Sequence, residues 1–342
     1  MNTNYSRLSL AVAIALTTGI SATVQAAKVL ETITITSSKK QQSLQESNIA
    51  VTAFSGDALR ELNMTDSTDI AAQTPGLNIG TPVGEGNNPS ISLRGVGLND
   101  FNDNNEGPIA VYRDEVYQSA MPGLTFQLFD LERVEVLRGP QGTLYGRNAT
   151  GGLVHFISKK PTEDFEGFFD LTLAQYNQVK TQAAISGGLT DTIQARLSVA
   201  TNNHDGYVKN RIGKDANEAD NYAYRLQVNF DLSDDFQALV NIHGAKSDTI
   251  APQYQHLATD DGTGTAGVSD FYGYKDTDGD VWAGEYDREG ILKIDSTGAS
   301  LNLTYSGDNI DFKSITAVED VEKIHQEDTD VGPNNGITPQ FV

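Results

Sequence analysis

The chain has no cysteine. That excludes disulfide scaffolds, thiolate zinc sites, iron–sulfur clusters and cysteine nucleophiles. Positive charge is scarce: 24 Lys and Arg stand against 46 Asp and Glu, a formal net charge of −22. A sequence-independent nucleic-acid binder needs the opposite sign to meet phosphates. Apolar residues are few as well, 38% of 342, and long apolar runs are nearly absent. A polytopic helical membrane protein is therefore excluded, since each span needs about 20 apolar residues. A membrane β-barrel is not excluded, because its strands hide their apolar residues by alternation. The length fits about two domains.

The one apolar run is N-terminal. Arg7 precedes Leu8 to Leu16, and small residues lead to Val24-Gln25-Ala26. This is the pattern of a secretory signal peptide, with the cut after Ala26. Next come Leu30-Glu31-Thr32-Ile33-Thr34-Ile35-Thr36, which are β-branched and alternating, and then the polar stretch Ser37 to Gln42. An extended segment on a polar tether suits strand addition to a partner's sheet edge. It equally suits an ordinary first strand.

From Ile49 to Pro161 the chain reads as a small α+β globule. Ser55 caps a helix through Asp57 to Leu62. Asp66 and Asp69 form an acidic variant of a capping box ahead of Ile70, and Thr74-Pro75-Gly76 stops that helix. Short β-like runs cover Ser90 to Leu93, Ile109 to Tyr112, Val134 to Leu137 and Leu153 to Ser158. Two Gly/Asn-rich loops, 80–89 and 97–107, lie among them.

After Pro161 the period becomes two. Tyr222, Tyr224, Leu226, Val228 and Phe230 alternate with polar or small residues, as do Ile193, Ala195, Leu197 and Val199. Similar runs cover 167–176, 179–188, 236–246, 299–305 and 310–318, seven strands in all. A soluble sandwich also alternates. The connections separate the two: turns at 190–191, 233–235 and 306–309 are tight, whereas 202–221 and 247–298 are long. Short turns on one side and long loops on the other characterise outer-membrane barrels. Tyr176, Tyr222 and Tyr305 are expected at strand ends in an aromatic girdle, and Arg196 and Arg225 on the inner face.

No catalytic or metal motif survives inspection. Gly262 to Gly267 matches a dinucleotide pattern in its letters, without the flanking strand and helix. Asp276, Asp278, Asp280 and Asp287 have calcium-loop spacing, but the sixth position is Val281 instead of glycine. The five histidines lack metal-ligand spacing. No enzymatic activity, cofactor or metal is expected.

The stretch Phe129-Asp130-Leu131-Glu132-Arg133-Val134-Glu135-Val136-Leu137-Arg138-Gly139-Pro140-Gln141-Gly142-Thr143-Leu144-Tyr145-Gly146-Arg147-Asn148-Ala149-Thr150-Gly151-Gly152 resembles the plug domain of TonB-dependent outer-membrane receptors. Thr74 to Leu77, Leu93-Arg94-Gly95, Val111 to Tyr117 and Lys159 to Pro161 resemble further plug motifs in the family's order. Glu31, Thr32, Ile33, Thr34, Ile35 and Thr36 resemble the TonB box, the segment that contacts the energising partner. Two positions depart from the family: His155 stands where Asn is frequent, and Glu115 where Gly is frequent. A positive φ at Glu115 would cost on the order of 1 kcal/mol or more.

The resemblance implies a signal peptide (1–26), a TonB-box segment and linker (27–44), a plug (45–162) and antiparallel transmembrane strands (163–342). It implies an outer-membrane transporter that takes up a scarce extracellular ligand, such as a ferric siderophore, and is energised by a TonB-type protein. Outer-membrane lipid is the other expected partner. The alternatives are a non-transporting binding or adhesion protein and an inactive truncated receptor. Plug loops with Asn87, Asn88, Asn99, Asp100, Phe101, Asn102 and Asp103 are the expected ligand-facing groups. Arg94, Gly95, Arg138, Gly139, Pro140, Tyr145, Gly146, Arg147, Gly151 and Gly152 are expected to be structural, with the arginines seeking carboxylates on the barrel wall. Seven strands are about a third of the ~22 that a plugged transporter barrel uses. The sequence is therefore expected to be the N-terminal part of a longer barrel protein.

Overall fold

Two apolar patterns build two kinds of sheet. The computed structural model describes residues 34–36, 42–43, 45, 47–82, 88–98, 100, 102–250, 280–328, 332–333 and 340–341. The expected signal peptide, Glu31, Thr32, Ile33, Asn87, Asn99, Phe101 and the 262–267 glycine run lie outside the described residues.

The N-terminal segment gives β1 (Thr34–Ile35), which pairs antiparallel with β2 (Gln42–Ser43). The globule that follows contains β3 (Ala50–Ser55), β4 (Leu77–Gly80), β5 (Ser90–Leu93), β6 (Val96–Gly97), β7 (Ile109–Arg113), β8 (Val116–Tyr117), β9 (Leu131–Arg138) and β10 (Gly152–Ser158). Its main sheet has the order β3-β9-β10-β7-β8, with β10 parallel to β7 and the other pairs antiparallel. A second sheet has the order β4-β5-β6.

Both expected helix starts are present. Ser55 accepts from the Ala58 N–H ahead of the helix Gly56–Glu61. Asp66 and Asp69 cap each other's backbone, and a 3-10 turn over Ser67–Asp69 leads into the helix Ile70–Gln73. The core combines Phe54, Leu59, Ile70, Leu93, Val134 and Val136. Gly152 is required at its place: φ is +146°, and a Cβ there would lie 2.4 Å from the Leu137 carbonyl oxygen.

The second region contains β11 (Glu166–Ala174), β12 (Gln178–Thr190), β13 (Ile193–His204), β14 (Lys209–Asn210), β15 (Ala219–Ser233), β16 (Phe236–Thr249), β17 (Ala283–Gly284), β18 (Ile291–Ser306), β19 (Asp311–Gln326) and β20 (Gln340–Phe341). All but the short pair β14 and β17 form one antiparallel sheet, β11-β12-β13-β15-β16-β18-β19-β20. Its polarity is inside out. Phe169, Leu171, Leu173, Ile185, Leu197 and Ile242 are exposed on one face, while Ser186, Gln194, Arg196, Ser198, Arg225 and Gln227 are buried on the other. Water would select the reverse; a bilayer outside and a filled lumen inside select this.

Two details differ from the sequence reading. Strands β18 and β19 have 16 residues each, longer than the alternation indicated. At about 3.4 Å per residue and a tilt near 45°, they rise well beyond an apolar band of about 25 Å. The parts outside that band have no need of an apolar face, so the alternation fades there. Tyr176 is in a tight turn instead of at a strand end. It and Asn177 have φ of 58° and 54°, as a type I′ hairpin turn requires.

Candidate functional site

Of the described residues expected to face ligand, Asn88 and Asp103 reach the seam where the globule meets the inner face of the barrel sheet. At the N-terminal side, Ile35 is fully buried in β1. The Thr36 N–H donates to Glu135 Oε1 at 2.9 Å, and its hydroxyl donates to the same carboxylate. The Tyr145 hydroxyl donates to the Thr36 carbonyl at 3.0 Å. Burial pushes the Tyr145 phenol up, and Glu135 and Glu115 add to this, so it remains a donor. Glu135 is completely buried in the middle of β9 and also accepts from Arg133 Nε at 2.8 Å. Thus the last described residue of the TonB-like segment is held by three side-chain and backbone bonds to the plug.

Five residues before Glu135 lies the main anchor to the wall. Arg196 on β13 binds Asp130 through Nε at 2.7 Å and Nη2 at 2.6 Å, a bidentate pair. Both side chains are about 98% buried or more, at 2% and 1% exposure. Ser198 also donates to Asp130, and Glu166 on β11 accepts from Arg196. Arg225 on β15 donates to the Phe129 and Asp130 carbonyls at 3.0 Å and lies 4.7 Å from the Phe129 ring centroid. Burial alone would raise the Asp130 carboxyl. The Arg196 and Ser198 hydrogen bonds and the two arginine charges outweigh it and hold the group below the ordinary carboxylate value. Asp130 has φ of 48°, a left-handed conformation that Asp tolerates better than most residues.

A second line of contacts runs along β19. Lys313 pairs with Glu115, Glu319 lies 3.7 Å from Arg113 and 3.1 Å from His243, and Lys323 meets Asp103 at 2.9 Å and Asn88 at 3.2 Å. Asn88, expected in a ligand-facing loop, is buried and donates to Asp103 at 2.5 Å. Asp100 and Asn102 are exposed and bond to each other.

Glu115 and His155, the two departures from the family pattern, are in contact. Glu115 has φ of 69°, and its N–H donates to His155 Nε2 at 3.0 Å. A side chain that strains the backbone there is thus held from both ends, by His155 on the main chain and by Lys313 on the carboxylate.

Of the three arginines expected to reach a wall carboxylate, none does so among the described residues, and the seam carries charge pairs of both polarities. Among the described residues, Arg138 bonds Thr52 and Arg147 bonds Glu106 at 2.9 Å, both within the plug, while Arg94 is exposed in the β5–β6 turn beside Gly95. The wall supplies Arg196, Lys313 and Lys323 to the plug carboxylates Asp130, Glu115 and Asp103, while its own Glu319 answers the plug's Arg113 and Glu166 shares Arg196. Gly139 and Gly146 have positive φ, Pro140 is exposed at the end of β9, and Gly151 precedes β10. Sequence reasoning passed over Asp130 and Glu135 as functional groups. The available signals were an inward-facing arginine that needs a counter-charge and a lone carboxylate between Val134 and Val136.

The family described as TonB-dependent Receptor Plug Domain matches residues 43–153. The iron-regulated outer membrane virulence protein of Vibrio cholerae is 30% identical over 213 residues, which cover 59% of this chain and 32% of that protein. The pesticin receptor of Yersinia pestis is 31% identical over 163 residues, 47% of this chain and 23% of that one. The chain thus spans a third or less of the length of these curated relatives. In structure, the ferric yersiniabactin uptake receptor FyuA from Yersinia pestis superposes with a TM-score of 0.67 at 21% identity, covering 82% of this chain and 42% of that one. Residues 43–153 thus carry the plug domain of the TonB-dependent receptors, and the chain as described has the fold of such a plug followed by barrel strands.

Proposed function

We propose that the protein is an outer-membrane transporter that imports a scarce extracellular ligand and is energised through residues 31–36 by a TonB-type periplasmic protein. Relatives carry names such as ferripyoverdine receptor and vitamin B12 transporter, which support transport as the shared task. The domain limits follow the same reading: linker to residue 44, plug over 45–162 and membrane strands from 163. The plug acts on no bond of its cargo, and its loops at 80–89 and 97–107 face the ligand.

The observation that carries this reading is the attachment of Thr36 to Glu135. Glu135 lies on β9, and the barrel grips Asp130 just ahead of that strand. A pull on the N-terminal segment therefore reaches the plug–wall seam through one strand.

The test needs no knowledge of the cargo. Residues 31–36 replace the box of a vitamin B12 transporter, and uptake of labelled vitamin B12 is measured. Uptake should persist, and Ile35→Pro in the graft should reduce it at least tenfold, because proline removes a backbone donor needed for strand addition. Vitamin B12 binding to the cells should stay unchanged. A graft that fails to transport would favour the binding or adhesion reading.

A further inference from the structure

The hairpin between β7 and β8 turns on Asp114 and Glu115, whose φ of 47° and 69° are those of a type I′ turn. Asp suits the first of these positions. The second ordinarily takes glycine, and a glutamate there is strained. The chain holds the turn in two places. Asp114 accepts from the Ser158 N–H and hydroxyl, both at 2.8 Å. The Glu115 N–H donates to His155 Nε2 at 3.0 Å. The Glu115 carboxylate then pairs with Lys313 on β19, so the turn is a joint between plug and wall.

The bond to His155 fixes the state of the imidazole. Nε2 must present a lone pair to accept, so the proton of the neutral ring is on Nδ1. The ring is 1% exposed in the middle of β10. Glu135 lies directly opposite it on β9, with Arg133 on that carboxylate. Tyr112 lies opposite on β7 with its ring 6.2 Å away, and Tyr145 packs on Tyr112 at 5.3 Å. Asp114, Glu115 and Lys313 are the charged groups on the side of the turn. Of these kinds of side chain, only imidazole ordinarily changes charge between pH 5 and 8.

A proton on Nε2 turns the acceptor into a donor and sets it against the Glu115 N–H. A buried N–H without an acceptor is costly, and no local preference of glutamate supports the turn that remains. Asp114 keeps Ser158, but Glu115 and the Lys313 pair that it carries lose their place.

We propose that His155 makes this plug–wall joint acid-sensitive: its protonation frees the Glu115 half of the turn and, with it, the Lys313 tether. The two positions at which the chain departs from the family pattern thereby act as one device, a strained turn and the titratable group that holds it. The Asp130 carboxyl on the other side of the plug stays ionised far into acid. Mild acidity therefore loosens one contact of the seam and leaves the other clamped. The inference concerns the joint itself and stands apart from the transport reading.

The test is hydrogen exchange in the complete receptor in detergent at pH 7.5 and 5.5, corrected for the intrinsic effect of pH on exchange. The reporters are the amides of Asp114 and Gln118, which donate to the Phe156 and Val111 carbonyls at 2.9 Å. Their protection should fall at least tenfold in acid. His155→Gln offers an acceptor oxygen near the place of Nε2 and cannot titrate, so its loss should stay within twofold. Glu115→Gly removes the strain, so its loss should stay within threefold although His155 is still there. Carbodiimide coupling of Glu115 to Lys313 is counted by mass spectrometry against coupling of Glu218 to Lys214, an exposed pair elsewhere. That ratio should fall at least fivefold in acid. Four outcomes overturn the proposal: wild-type protection unchanged in acid, an acid loss that survives in His155→Gln, an equal loss in Glu115→Gly, or a coupling ratio that ignores pH. Should His155→Gln fail to fold, Glu115→Gly and the coupling ratio decide. None of these readouts needs cargo or an energising partner, so failure here leaves the transport reading standing, and failure of the vitamin B12 graft leaves the joint standing.

Discussion

Asp130 and Asp103 are both plug carboxylates that meet a barrel cation, and they do so in opposite surroundings. Asp130 is 1% exposed and accepts both arms of an arginine that is 2% exposed. Asp103 is 46% exposed and meets a lysine that also donates to Asn88. A buried pair draws its strength from the cost of separating it, because a charge left alone in the interior has no water. In the second pair the lysine is 10% exposed but the carboxylate is 46% exposed, so water can take the carboxylate over at smaller cost. The seam therefore has one contact built to hold and another built to let go. The releasable one lies beside the loops expected to face ligand.

The comparison can be broken most directly at its stronger member. Asp130→Ala leaves the buried Arg196 with only Glu166 to answer it and should destabilise the plug in its barrel by about 3 kcal/mol. Urea titration of the complete receptor, followed by trypsin cleavage within the plug, reads this loss. A loss under about 1 kcal/mol would remove the distinction between the two contacts.

Acid sharpens the same contrast. The Asp130 carboxyl is held below its ordinary value, so its contribution is fully present above the unfolded value of about 3.9. It disappears as the pH falls below that value and through the lowered folded one. Plug release measured against pH should show this acid limb, and Asp130→Asn should flatten it. An unchanged limb in the variant would assign the acid sensitivity elsewhere. The Asp103 carboxyl is also held low, since Asn88 and Lys323 outweigh the burial that would raise it, but solvent screens its share.

Smaller effects are expected along β19. Glu115→Gly relieves a left-handed backbone and gives up the Lys313 pair. Thermal unfolding should show a net gain of no more than about 1 kcal/mol. A loss beyond that would mean that the ion pair dominates the strain. Lys323→Met should cost less than about 1 kcal/mol. It should nevertheless raise hydrogen exchange over the described residues around Asn88 and Asp103, and unchanged exchange there would show that the lysine does not tether these loops.

Much of this architecture was legible because local chemistry and global fold agree. Ser55, Asp66 and Asp69 announce their helices through the N–H groups they cap, and each does so in the structure. The period-two runs marked all seven long strands, since a sheet with lipid on one face leaves little choice of residue there. Strands β3 and β4 were not legible. Ala50-Val51-Thr52-Ala53 and Leu77-Asn78-Ile79-Gly80 carry weak patterns, and pairing to β9 and β5 makes them strands. The seam was half legible. Arg196 and Arg225 were visible as inward charges, but their partners lie 66 and 95 residues away in the chain. No local pattern encodes such a pairing. The compensation between Glu115 and His155 was hidden for the same reason, although each was visible alone as a departure.

The position of Asp130 has a mechanical consequence. The six residues of β3 pair with β9 from Ala50 opposite Arg138 to Ser55 opposite Arg133. The N-terminal segment enters β3 at the Arg138 end, whereas the wall clamps the chain at the other end of β9, at Asp130. Tension along the strands therefore loads this ladder in shear, with every rung sharing the force at once. A strand peeled from its end would give up its hydrogen bonds one at a time, each worth only about 0.5–1.5 kcal/mol. Sheared, the six-residue ladder behaves as a stiff link that delivers the load undiminished to the clamp at Asp130.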